Sequence, residues 1–228
     1  MKNYATMALL LVTAACGREE EVSPTNASSG NAGAGGMTTT TSINGGNGGM
    51  GGNNVGGEAA GGYGGSGNCD DISGKFVTYS QGGWNNQAEL LSTLVGNGVL
   101  IGKADADYAS FTNADAVVAF LPAGGTPNAL QGQYVNPATT PAGNLAGQAL
   151  SLKLNALSSN QACGYTLADL VATEGDCKDM SVSEVLELSD LALSGAAVSL
   201  SYSSLKECAR KINENFDYGG NNGYLRFP

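Results

Sequence analysis

The sequence predicts an α+β domain dominated by about six short helices, with a small N-terminal sheet and two disulfides. Three observations predict it. Between positions 86 and 216, apolar residues recur three, four and seven apart, the period of one helix face. Most of these runs follow a Ser, Thr or Asn with an acid three residues on, the pattern of a helix start. Only a few short β-branched or aromatic runs compete with them, and four cysteines fall in the same part of the chain.

Taken in order, Lys75-Phe-Val-Thr-Tyr79 predicts the first strand, ended by Gly82-Gly83. Asn86 with Glu89 predicts a helix start. Leu90, Leu91, Leu94 and Val95 form its apolar face, and Gly96 or Gly98 ends it. Val99-Leu-Ile101 and Tyr108-Ala-Ser-Phe111 predict further short strands. Thr112-x-x-Asp115 opens a helix whose Ala114, Val117, Val118 and Leu121 share a face, stopped by Pro122. Residues 123–140, rich in glycine and proline, read as a loop or small hairpin.

Pro141 after Thr140 predicts a helix to about Leu157. Leu150-Ser-Leu-Lys-Leu154 alternates as a strand would, but its Ala, Leu, Gln and Lys surroundings favour the helix. Gly147 inside that helix marks a close contact. Thr166-x-x-Asp169, Ser181-x-x-Glu184 and Ser204-x-x-Glu207 predict three more helices. Gly195 ends the second, and the third carries the cleanest stripe: Leu205, Cys208, Ala209, Ile212 and Phe216.

Ahead of this domain, residues 1–15 read as a signal peptide. Lys2 is its basic start, and Ala5 to Ala15 is an apolar run too short to span a bilayer. In residues 28–67, seventeen of forty positions are glycine and most others are small and polar. Such a segment cannot offset its ordering entropy, so 16–67 is expected to be a disordered tether, with a span on the order of 40 Å for ~50 residues. Residues 68–228 form the single globular domain. They carry sixteen acids and eight bases. That balance argues against nucleic acid and against anionic head groups as partners.

Cys69, Cys163, Cys177 and Cys208 make an even set in an exported chain, which favours disulfides. Cys163 and Cys177 bracket one short predicted helix and are paired on that ground, leaving Cys69 with Cys208. No C-x₂₋₄-C spacing and no His occur, so no metal site and no cofactor are expected.

The absence of His removes Ser-His-Asp and Cys-His nucleophiles. Asp70-Asp71 and Asp105-Ala-Asp107 are the carboxylate pairs left, without a spacing that fixes them across a cleft. Asn213-x-Asn215-x-Asp217 imitates half of a calcium loop, but Gly219 comes one place late and Tyr224 stands where the bidentate Glu belongs. Trp84, between Gly82-Gly83 and Asn85-Asn86, has two readings. It is a core anchor, or it stacks on a sugar ring with Tyr79 and Asn85 beside it.

Val12-Thr-Ala-Ala-Cys16 resembles the lipobox of bacterial lipoproteins. The resemblance implies cleavage before Cys16, acylation of that residue and membrane attachment through its lipid, which two chains already make stable. Gly17, rather than Asp, after the cysteine implies the outer membrane by likeness to Gram-negative lipoproteins. Separately, Thr78-Tyr-Ser-Gln-Gly-Gly-Trp84, Phe120-Leu-Pro-Ala-Gly-Gly-Thr-Pro127, Ala146 to Asn155 and Ile212 to Asp217 resemble blocks of a domain in exported bacterial proteins to which no activity is attached. The expectation is a non-catalytic, lipid-anchored envelope protein with an envelope protein or glycan as partner; the alternative is a surface carbohydrate-binding or adhesion module.

Overall fold

The computed structural model describes residues 69–228. The leader, Cys16 and the glycine-rich segment lie outside the described residues. Among the described residues, six helices, a three-stranded sheet and a two-stranded sheet make up the fold, which is α+β. In chain order these are α1 Gln81–Trp84, α2 Ala88–Leu94, β1 Val99–Gly102, β2 Tyr108–Phe111, α3 Ala114–Phe120, β3 Gln133–Val135, α4 Gly143–Ser158, β4 Val171–Ala172, α5 Val182–Leu193, α6 Tyr202–Asn213 and β5 Leu225–Arg226. β1 pairs antiparallel with β2, and β2 pairs parallel with β3. β4 and β5 form the second sheet, antiparallel.

The expected N-terminal sheet is not there. The three-stranded sheet starts only at Val99, from the two later strand candidates. Lys75 to Tyr79 alternates inward and outward as a strand should, with Phe76 and Thr78 buried and Val77 exposed. Its backbone nevertheless finds no neighbouring strand. Thr78 alone forms an isolated parallel bridge with Asp217, and the Asn155 side chain takes the Tyr79 N–H and C=O. Gly82 and Gly83, expected to break the chain, instead lie inside α1. Ser80 caps that turn by accepting a hydrogen bond from the Gly83 backbone N–H.

Side-chain caps mark the starts of α3, α5 and α6. Ser181–Glu184 forms the full reciprocal capping box expected for α5, with Gly195 at φ +84° just beyond its end. Thr166–Asp169 also forms the box, but only a 3₁₀ turn, Leu167–Asp169, follows before β4. Four starts shift by a few residues. Asn113, not Thr112, caps α3. Ser201, not Ser204, caps α6. α2 begins at Ala88 behind Gln87, which makes no side-chain cap. α4 starts at Gly143 rather than Pro141.

α4 is the helix on which α1, α2, α5, α6 and β1 pack. Leu145, Leu150 and Leu154 belong to a core shared with Trp84, Leu91, Phe111 and Phe120. Leu152 turns to a second core with Phe76, Ile212 and Phe216. Burying such side chains contributes about 1.5–3 kcal/mol each. Gly147 is the close contact expected of it: a Cβ there would collide with Gln81 Oε1 and with the Ala123 side chain.

The free edge of β1 is closed by side chains rather than by a strand. Leu100 O accepts from Lys153 Nζ at 2.7 Å, and Gly102 N–H donates to Asp190 Oδ1 at 3.0 Å. Lys153 and Asp190 are themselves paired at 2.5 Å. An ion pair between α4 and α5 thus takes the hydrogen bonds that a fourth strand would have made.

The cysteines pair as Cys69–Cys163 and Cys177–Cys208, with Cα–Cα distances of 5.9 and 6.1 Å. This corrects the expected connectivity, which rested on a helix between Cys163 and Cys177. The chain there runs through a 3₁₀ turn and β4 instead, so the two cysteines reach different neighbours. Cys163, at φ +54°, and Gly164, at φ +84°, occupy a two-residue turn closed by Ala162 and Tyr165. Cys177 and Cys208 are both in the second core, where they fasten the loop before α5 to α6.

On α6 the predicted stripe is buried in full: Leu205, Cys208, Ala209 and Ile212, with Phe216 beyond the helix end. Its outer face carries Glu207, Arg210 and Glu214. Hydrogen bonding from Arg210, with Lys206 also alongside, holds the Glu207 carboxyl down at about 2 against an ordinary 4.5. Glu184 and Asp169 are lowered too, chiefly by the backbone N–H groups of Ser181 and Thr166 in the capping boxes. A carboxylate depressed in the folded state adds stability above its unfolded pKa and loses it as pH falls through its folded one. Through these three groups the urea midpoint should fall progressively between pH ~4.5 and ~2. Glu207→Gln should flatten the acid end of that curve, and an unchanged curve would contradict the assignment.

Candidate functional site

The sugar-stacking reading of Trp84, with Tyr79 and Asn85 beside it, does not survive the fold. Trp84 is fully buried among the α2, α3 and α4 side chains. A ring with no exposed face cannot stack on a ligand, so Trp84 is the core anchor of its two readings. Tyr79 packs edge-on against it, ring centroids 5.0 Å apart, and is itself half-buried. The Asn85 amide donates to Leu121 O.

The residues that carry the sequence resemblance meet instead in one buried hydrogen-bonded seam. Asn155 on α4 holds the Tyr79 backbone from both sides: its Oδ1 accepts from Tyr79 N–H, and its Nδ2 donates to Tyr79 O, each at 2.9 Å. The same Nδ2 donates to Asn213 Oδ1 at 2.9 Å. Asn213 Nδ2 in turn donates to the Gln148 backbone and side-chain oxygens. Thr78 Oγ1 accepts from Phe216 N–H at 3.0 Å, while Thr78 N–H donates to Phe216 O. Gln81 accepts from Ala123 N–H and donates to Asn144. Amides suit this position because each supplies donor and acceptor together, and a buried backbone group needs one of each.

That seam also settles the calcium-like stretch. Asn213 and Asn215 are both fully buried, and Asn215 Oδ1 accepts from Tyr224 and Leu225 N–H at 2.7 and 3.2 Å. Their oxygens are taken by the protein. Asp217 is the remaining member and lies in the turn that follows.

The acid pairs are turn residues. Asp71 is held below the ordinary carboxylate range by hydrogen bonds from the Ser73 backbone and side chain, as a turn cap is. Asp105 and Asp107 lie in the β1–β2 hairpin connection, where Asp107 O accepts from Lys103 N–H. Among the described residues one carboxylate is buried, Asp190. Burial pushes it above its ordinary value, and this outweighs the opposing pull of Lys153 beside it. Nothing in the sequence pattern marked this pair, because Lys153 sits in an otherwise apolar helical stripe.

Two surface features remain. A cleft of about 450 Å³ opens beside Ile72, Tyr165, Arg226 and Phe227, where residue 69 joins the fold and the chain ends. Tyr165 and Phe227 form its aromatic wall, ring centroids 5.4 Å apart. Arg226 is engaged with Asp179 at 3.2 Å. The second feature is Tyr218, exposed in the turn after α6, which the sequence marks only as an aromatic among Gly and Asn residues. No family model matches the chain, and neither a curated protein nor a solved structure matches it.

Proposed function

We propose that the protein is a non-catalytic, lipid-anchored component of the cell envelope. Its acylated Cys16 sits in the outer membrane and its folded part is carried on the glycine-rich spacer. The observation that supports this most is the division of the cysteines. The chain has five, and the four in the described residues pair among themselves. The one left over is the one that ends the apolar leader in a lipobox-like sequence. Paired cysteines also fit an oxidising compartment outside the cytoplasm. The non-catalytic part of the reading is supported by a chain without His whose one buried carboxylate, among the described residues, is taken up by an ion pair.

The test is expression in a Gram-negative host fed an alkyne-bearing palmitate analogue, followed by detergent phase partitioning. The wild type should carry the label and enter the detergent phase, and Cys16→Ser should do neither. An unlabelled wild type that stays in the aqueous phase would overturn the anchor.

A further inference from the structure

Tyr218 is the most exposed large apolar side chain among the described residues, at 68 %. It is nevertheless held from beneath. Its ring meets Tyr79 edge to face, centroids 6.3 Å apart at 85°, and Tyr79 meets Trp84 in the same manner at 5.0 Å and 65°. Three rings therefore run from the core to the surface, buried, half-buried and exposed in turn. The Thr78–Asp217 bridge sets this register by laying Tyr79 beside Tyr218, and Val77, on the outward side of the same segment, is 45 % exposed.

The backbone makes the placement stranger. Tyr218 has φ +49° and Gly219 φ +82°, and Gly220 N–H closes the turn on Asp217 O at 3.1 Å. Such turns take Asn, Asp or Gly at the first positive-φ position, and a bulky L side chain there is strained. Glycine or asparagine occupies positions 219–223 throughout, so the surrounding turn is built from the residues that suit it. The aromatic is at a position where backbone chemistry disfavours it, and packing does not account for a side chain two-thirds in water. The turn itself is pinned: Asn221 donates to Ser73 and accepts from Gly223 N–H, and Asn222 donates to Glu214 O.

We propose that Tyr218 is a stacking platform for one ring of a neutral glycan. An aromatic ring presented alone, without a groove, suits the flat C–H face of a pyranose, with the polar groups of the Asp217–Asn222 turn beside it. A protein partner is a poorer fit, since stable interfaces bury roughly 800 Å² on each side and this surface offers little contiguous apolar area beyond Tyr218, Tyr79 and Val77. An anionic glycan or lipid is poorer still. The turn contains no cation and lies in an acidic chain, and Lys211, the nearest basic residue before it in sequence, is engaged with Glu174 and the Tyr224 ring. The proposal does not depend on the lipid at Cys16.

The experiment is saturation-transfer NMR on the detergent-solubilised full chain, with cellotetraose, chitotetraose, maltotetraose, mannotetraose and, as the anionic arm, polygalacturonate. Wild type should give signal with at least one neutral probe. Tyr218→Phe should keep the affinity within about 3-fold, and Tyr218→Gly should lose at least 10-fold while melting at the same temperature or higher, since glycine suits φ +49°. Silence from all four neutral probes would overturn the proposal, as would binding of the polyanion alone. A Tyr218→Gly variant that binds as well as wild type, or that melts lower, would make the ring a structural element and overturn it too.

Discussion

Replacing Asn155 by alanine is expected to cost about 3–5 kcal/mol of folding free energy, the largest loss from any single polar side chain. The reason is the number of buried groups that one amide serves. The Tyr79 N–H, the Tyr79 C=O and the Asn213 Oδ1 all lose a partner at once. Asn155 is fully buried, so water cannot readily replace it. Each orphaned buried group costs about 1–3 kcal/mol, and part of that is recovered by relaxation. Urea unfolding with both disulfides intact should show a lower midpoint at unchanged m-value. Asn155→Asp keeps an acceptor for Tyr79 N–H but sets a buried carboxylate against Tyr79 O and Asn213 Oδ1, and should cost at least as much as alanine. A loss below ~1 kcal/mol for the alanine variant would mean that the amide does not fasten the Tyr79 segment to α4 and α6.

The second large effect is expected from Asp190→Ala, at about 3 kcal/mol. The change strands Lys153 against Leu100 O and leaves Gly102 N–H without its acceptor at the β1 edge. Breaking a buried pair by removing one partner costs about 3–5 kcal/mol, and the low end applies because both side chains keep some solvent contact, 22 % for Lys153 and 12 % for Asp190. Removing both charges together, in Lys153→Met/Asp190→Leu, should cost less than Asp190→Ala alone, since neither ion is then left unpaired. The raised pKa of Asp190 works in the same direction. A carboxyl whose folded pKa lies above its unfolded one is easier to bury protonated, so its contribution weakens as pH rises through the folded value. Equal losses for the single and double variants would show that the β1 edge, rather than the stranded charge, carries the cost.

What could be read from the sequence follows the range of the interaction. Capping boxes at Thr166–Asp169 and Ser181–Glu184 involve residues three apart, and the structure contains both. The α6 stripe is equally local and is buried as read. The segment around Thr78 failed because alternation reports which side chains point inward, not what the backbone pairs with. Its partners are an amide 76 residues away and Phe216, 138 residues away. Disulfide connectivity failed for the same reason, since proximity in sequence stood in for proximity in space. Trp84 kept two readings because it is an aromatic among Gly and Asn, as Tyr218 is, and only the tertiary fold decides which of them is covered. The amides of the seam were visible as residue types, but nothing local to Asn213 and Asn215 marked them as two buried brackets.

The central claim is that the five cysteines divide into two disulfides and one attachment point. Mass spectrometry of non-reduced proteolytic peptides from the membrane-extracted protein tests both halves in one measurement. The account predicts one cross-linked pair containing Cys69 and Cys163, a second containing Cys177 and Cys208, and an N-terminal peptide beginning at acylated Cys16. A peptide joining Cys163 to Cys177, or Cys16 found unmodified or bridged to another cysteine, would contradict it.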